Sequence, residues 1–276
     1  MEITDSTSTR EEKAKQFAED VDMRSLERID YIALAGTALF GIWSFWYIQA
    51  TPWRFFTGIP DMVEFSLNMF PPNLSYLVSD LVGPTVETIA IAASSTILAV
   101  FLSIPLAFGA AKNITPAKPI YVFCRGIIAM TRTIHELIWA LIFVVSIGLG
   151  AFAGMLGLAF HAIGFMGKLV AEEIEDIDHG QVEAIQATGG SRLEVLRYAV
   201  IPQVLPAFIG LSLYRWDINL RASVVVGLVG AGGIGFKLHQ SINLFNYDQV
   251  ASILLIIFVL VGLQEWFSSW IRHRII

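Results

Sequence analysis

Charged side chains interrupt the long apolar runs of this 276-residue chain at a few places. Arg125, Arg132 and Glu136 lie in one run, and Arg215, Asp217 and Arg221 in another, with His135 and the polar Asn219 beside them. An ionised group in an apolar segment is costly unless it meets a partner, a cavity or a ligand. Arginines outnumber carboxylates in this set, and such a surplus lowers the barrier for an oxyanion, whose oxygens a guanidinium holds bidentately. Internal neutralisation competes with that account. Asp217 and Arg221 are four apart with the acid first, the favourable helical order, whereas Arg132 and Glu136 are four apart in the less favourable order. Arg125 can snorkel to an interface. Arg215 has no acid three or four positions away, which makes it the foremost candidate to meet an anion.

Two local patterns bear on how these groups are held. Thr133-Ile134-His135-Glu136 has the spacing of a capping box, so a helix can start inside the apolar run with its N-terminus near His135, a place where transporters commonly face anions. One long tilted helix fits the same residues equally well. Gly227, Gly230, Gly232, Gly233 and Gly235 form a glycine-rich turn after the second charged run. Gly230 to Gly235 also matches G-x-G-x-x-G, but no βαβ pattern surrounds it and Asp248 arrives sooner than the roughly 20 residues a dinucleotide site needs. The glycines instead let the backbone turn back at the mouth of a path.

The elements that must position these residues are membrane spans. Hydrophobic residues make up 55% of the chain and charged ones 15%, with a mean hydropathy of +0.64; soluble domains carry about 25% charge. The reading is an all-α polytopic fold of about six spans: Tyr31–Ala50, Pro84–Ala111, Pro119–Gly148, Gly150–Val170, Ile201–Gly227 and Val250–Ile271. Residues 1–30 form a polar N-terminal segment, 31–50 a first transmembrane helix in place of a cleavable signal, 51–83 an interfacial stretch rich in aromatics and prolines, and 84–272 the core. Most of the 18 lysines and arginines fall on one side. Arg10, Lys13, Lys15, Arg24, Arg28, Lys112, Lys118, Lys168, Arg192, Arg197, Arg272 and Arg274 share it, and only Arg54 and Lys237 lie opposite, which puts both termini in the cytoplasm. The lone cysteine, Cys124, permits no intrachain disulfide, and the net charge of -6 argues against a nucleic-acid partner.

The polar loop 171–200 carries the most specific pattern. Gln181–Thr188 suits a short helix, Gly189-Gly190 stops it, and Ser191 with Glu194 makes a capping box that starts a second helix leading into the fifth span. Pro202 and Pro206 reshape that entry. Glu183-Ala184, then Gly189, then Ile201-Pro202 reproduce the spacing of the "EAA" signature of ABC importer permeases, with Ile185, Ala199 and Ile201 as apolar departures from the usual residues. A short rigid helix on the cytoplasmic face suits insertion into a groove on a partner.

Three longer stretches extend the resemblance over roughly residues 60–272: Phe-Pro-Pro at 70–72, HELIWALIFVVSIGLGAFAG from His135, and LYRWDINLRASVVVGLVGAGGIG from Leu213. On these the chain resembles the phosphonate permease group of the methionine-permease-like superfamily. The resemblance implies a methionine-permease-like core of five helices in a bacterial inner-membrane permease for phosphonates, phosphite, hypophosphite or related oxyanions. It also implies a second copy of the chain, two ABC ATPase subunits that use ATP and Mg, and a periplasmic substrate-binding protein. No cofactor or metal is expected in the chain itself, and it has no Gly-x-x-x-x-Gly-Lys-Ser/Thr loop, so hydrolysis belongs to the partner and the chain is not an enzyme. A self-contained secondary transporter would need inverted repeats, and spans one to three do not recur in four to six. An intramembrane enzyme built on His135 and Glu136 would need a nucleophile or metal-ligand cluster beside them.

Overall fold

A computed structural model of the protein describes residues 23–49 and 51–275, and every element among them is helical. Helix α1 runs Met23–Tyr47, followed by the short helices α2 (Pro52–Thr57), α3 (Ile59–Asn68) and α4 (Leu74–Ser79). The larger helices are α5 (Val82–Ala110), α6 (Lys118–Thr133), α7 (Glu136–Ile147) and α8 (Ala151–Glu175). After them come α9 (His179–Ala187), α10 (Arg192–Val195), a π turn (Leu196–Val200), α11 (Ile201–Gly227), α12 (Gly233–Asn243) and α13 (Tyr247–Ile275). The chain divides into two units, residues 1–63 and 64–276.

In the first unit, α1 is apolar on every side from Tyr31 onward. Leu39, Phe40, Phe45 and Trp46 are all exposed. A helix with no polar face is built for an apolar surrounding rather than for water. Its apolar stretch, Tyr31–Tyr47, is shorter than the other candidate spans.

Four helices of the second unit are long and apolar enough to cross a bilayer: Val82–Ala110, Ala151–Glu175, Arg192–Gly227 and Tyr247–Ile271. The 25 residues of α8 reach about 38 Å at 1.5 Å per residue, beyond the roughly 30 Å apolar core of a bilayer. The expected third span is broken: α6 and α7 meet at an angle of 89°, so the pair can make a fifth crossing only as a bent one. The tilted continuous helix that the sequence also allowed is absent.

Helix α8 is the centre of the bundle. Of its most apolar window 61% is buried, against 17% to 33% for the other three long helices. Small residues make this possible, because lipid supplies no drive for helix association and close packing must do so. Ala153, Gly157, Ala162, Gly164 and Ala171 are all buried. At Gly157 an added Cβ would lie 2.6 Å from the Cα of Ala140 in α7, so only glycine allows that approach.

Candidate functional site

The break between α6 and α7 is held by polar side chains. Ile134 and His135 adopt extended backbone, and His135 rather than Thr133 is the N-cap of α7, its Nδ1 accepting from the Leu137 N–H at 3.2 Å. The capping box expected from Thr133 to Glu136 does not form. Thr133 is still the last residue of α6, and its Oγ1 donates back to the Ala129 carbonyl at 2.8 Å, so it is unavailable to the next helix. Carbonyls freed at the end of α6 find other partners: Trp139 Nε1 donates to Thr131 O at 3.3 Å, and His161 Nδ1 lies 3.1 Å from Ile134 O. A lipid-embedded break must satisfy its backbone in this way.

Because the helix breaks between them, Arg132 and Glu136 do not form their four-apart pair. Glu136, in the first turn of α7, turns towards Arg215 of α11 instead, with Oε2 3.5 Å from Nη2 and 3.9 Å from His161 Nε2. Arg215 is therefore not without an acid, as its sequence neighbours suggest; the acid comes from another helix. Its side chain is 2% exposed, its guanidinium stands 5.5 Å from the Phe165 ring centre, and its Nε and Nη2 make no hydrogen bond. Arg132 and His135 are exposed at the break.

The other intramembrane charges are neutralised locally. Asp217 accepts from Arg221 in a close ion pair, the four-apart pairing expected from sequence, although Asp217 Oδ1 is left unpaired. Arg125 bridges to Glu175 at 2.9 Å and donates from Nε to the Ala110 carbonyl, which fastens the end of α5 to α6 and α8. Among the described residues Arg132 alone of the four arginines in the spans has no ion pair, and the positive surplus gathers at the α6–α7 break. Asn219 is fully buried and donates to Ser95 Oγ and Thr96 Oγ1 at 3.2 and 2.9 Å, tying α11 to α5.

At the opposite ends of α11 lie the other two groups of candidates. Past Gly227, Gly230, Gly232 and Gly233 have φ of 95°, 80° and 68°, and a Cβ on Gly227 would sit 2.7 Å from the Gly232 carbonyl. These positions need glycine for conformation and for close approach. Thr88 Oγ1 accepts from the Ile234 N–H at 2.8 Å and seats this turn on α5, while Gly235 packs against Val224 and Gly227 of α11. Before Ile201, α9 ends at Ala187 and the chain turns at Gly189 with φ of 80°, and Gly190 N–H returns to Ile185 O at 3.1 Å. The Ser191–Glu194 capping box is complete. Glu183, Ala184, Gly189, Ile201 and Pro202 are all exposed. A cavity of about 380 Å³ separates this segment from the α5–α6 loop, lined among others by Asn113, Thr115, His179 and Arg192.

His161, Phe165 and Glu175 escaped the sequence reading. His161 had a signal, as an ionisable residue inside an apolar run. Phe165 had none, because an aromatic ring in such a run is ordinary.

Comparison with known proteins gives concordant results. The family described as "Binding-protein-dependent transport system inner membrane component" matches residues 103–275. The phosphate-import permease protein PhnE of Mycolicibacterium smegmatis is 39% identical over 251 residues, covering 91% of this chain and 47% of that protein, so the chain spans about half its length. The phosphite transport system permease protein PtxC of Stutzerimonas stutzeri is 39% identical over 239 residues, covering 87% of this chain and 86% of that protein. Among solved structures, an inward-facing form of the MetNI methionine ABC transporter superposes with a TM-score of 0.62 at 22% identity, over 71% of this chain and 96% of its own.

Proposed function

The chain belongs to the family of binding-protein-dependent transport system inner membrane components, and from that premise we propose that this ABC importer permease subunit conducts a small phosphorus oxyanion. The class comprises phosphonate, phosphite and phosphate. The observation that carries the reading is the positive charge at the α6–α7 break, where Arg132 is exposed without an ion pair and Arg215 is only loosely paired with Glu136. A permease path that must admit an anion into apolar surroundings needs fixed positive charge to offset lost hydration. The relatives named for phosphate and phosphite import favour the same class.

The chain is a multi-pass membrane protein of ABC importer type and is not itself an enzyme. In this reading two copies meet across a two-fold axis in the bacterial inner membrane with both termini cytoplasmic. Two separate ATPase subunits hydrolyse ATP with Mg²⁺, and a periplasmic binding protein delivers the anion. Glu183, Ala184 and Gly189 make the contact with the ATPase, and Ile201 and Pro202 pass its movement into α11. The glycines from Gly227 to Gly235 form the outer turn. Arg132, His135, Glu136, Arg215, Asp217, Asn219 and Arg221 belong to the path or its walls.

The test is uptake by the assembled transporter in liposomes, with ATP inside and the binding protein outside. ATP-dependent accumulation of labelled phosphate, phosphite or methylphosphonate is expected. Accumulation of none of the three would refute the substrate class.

A further inference from the structure

The ion pair between Arg215 and Glu136 is loose for its surroundings. Charge-assisted hydrogen bonds close to about 2.7–2.9 Å, yet Nη2 and Oε2 stand 3.5 Å apart around a guanidinium that is 2% exposed. Two of its nitrogens, Nε and Nη2, have no acceptor. Buried donors left without partners are rare, and each one calls for a reason. A carboxylate built to neutralise Arg215 permanently would sit closer and take both hydrogen bonds.

We propose that Glu136 is an exchangeable counter-ion, which occupies Arg215 while the permease is empty and gives way to the transported anion. The inference rests on the oxyanion reading above and concerns how that same site is regulated. Three features suit Glu136 to the role. It lies in the first turn of α7, a helix of 12 residues, where the macrodipole stabilises a carboxylate whether or not Arg215 is near. His161, whose Nδ1 lies 3.1 Å from Ile134 O, holds its Nε2 3.9 Å from the same Glu136 oxygen and gives the displaced carboxylate a second neighbour. Glu136 is also 17% exposed while Arg215 is 2% exposed, so the carboxylate is the more accessible member of the pair. Arg132 and His135, exposed at the break, are the groups an arriving anion meets first. A tetrahedral oxyanion presents several acceptor oxygens and can satisfy Nε and Nη2 together, which one distant carboxylate oxygen does not.

The exchange has a mechanical consequence. The empty site keeps a negative occupant, so Arg215 never holds an uncompensated charge between cycles. The anion must compete with that occupant, which lowers its affinity and favours its release.

The experiment uses the permease assembled with its ATPase in nanodiscs, without binding protein, and measures equilibrium binding of labelled phosphate, phosphite and methylphosphonate. Glu136→Gln removes the competitor and should tighten binding roughly tenfold or more, the scale of coupling between close charges in apolar surroundings. Turnover in the uptake assay should fall together with KM, because release becomes slow. Added anion should also raise the melting temperature of Glu136→Gln more than that of the wild type. Glu136→Asp retains the charge but withdraws it, and should bind with intermediate affinity; it decides the question if Glu136→Gln cannot be recovered as a complex. Wild-type transport of an anion without tighter binding by either variant would overturn the exchange and leave the substrate class standing. A wild type that transports none of the three would remove the substrate class, and the exchange with it.

Discussion

Gly164→Ala is the sharpest probe of the packing that holds the break in place. A Cβ at Gly164 in α8 would lie 2.8 Å from the Ile128 carbonyl oxygen and 2.7 Å from Arg132 Cγ, with Thr131 Oγ1 nearer still. Carbon contacts are comfortable near 3.5–4.0 Å, so α6 and α8 must separate by about 1 Å to admit one methyl group. Neither of the backbone-tethered atoms can rotate away, since Thr131 Oγ1 is bonded to the carbonyls of Ile127 and Ile128. Overpacking of this kind costs about 1–3 kcal/mol, and the immobility of the neighbours argues for the upper part of that range. Gly126→Ala, on the outer side of α6, is the control. Nothing lies within 4 Å of its added Cβ, so alanine there should be neutral or should stabilise by up to about 1 kcal/mol through helix propensity. The assay is the melting temperature of the purified complex together with uptake at matched permease levels. Gly164→Ala should lower both, with uptake falling further because Arg132 is displaced along with the last turn of α6. Equal melting temperature and uptake for the two variants would refute the close approach of α6 to α8.

In the coupling segment, Gly189→Pro forces φ to about −65° where the turn uses 80°, and Glu183→Lys reverses an exposed charge. Both variants should insert and assemble yet lose anion uptake while the ATPase continues to hydrolyse ATP, and normal uptake by both in cells would remove the coupling assignment. Arg221→Gln leaves Asp217 buried with neither oxygen paired, and breaking a buried pair costs about 3–5 kcal/mol, less here because Arg221 is 47% exposed. The amount of assembled complex recovered should therefore fall, with uptake per assembled complex retained; the reverse pattern would make Arg221 a path residue.

What the sequence disclosed depends on the distance over which each interaction acts. The turn at Gly189 and the box at Ser191–Glu194 were legible because glycine conformation and capping are decided within a few residues. The Asp217–Arg221 pair was legible because α11 is continuous across it. The same rule applied to Arg132 and Glu136 fails, because four-apart geometry requires a helix between them and the chain turns by 89° there. Thr133 was a reasonable N-cap by residue type, but its hydroxyl bonds backwards, and that preference shows only once the end of α6 is located. Arg215 looked unpartnered because its acid lies on a different helix, and no helical period relates the two. The spans themselves were legible to within a few residues where hydropathy decides, as for α5 and the start of α8. Hydropathy fell short where a helix runs past the apolar region, as when α8 continues to Glu175.

The π turn at Leu196–Val200 bears on how relatives of different length should be aligned. There the Ile201 N–H reaches the Leu196 carbonyl five residues back, and the widened turn comes just ahead of Pro202, whose ring would collide with a carbonyl four residues back in an ordinary helix. A π turn holds one residue more than α-helical register requires. Deleting a single residue between Leu196 and Val200 can therefore be absorbed by closing that turn, leaving the faces of α10 and α11 in phase. The same deletion within α11 advances every later side chain by about 100°, carrying Arg215 away from Glu136 and Asn219 away from Ser95 and Thr96. One-residue gaps among homologues should accordingly collect in the five residues before Ile201 and be excluded from the stretch between Pro206 and Gly227.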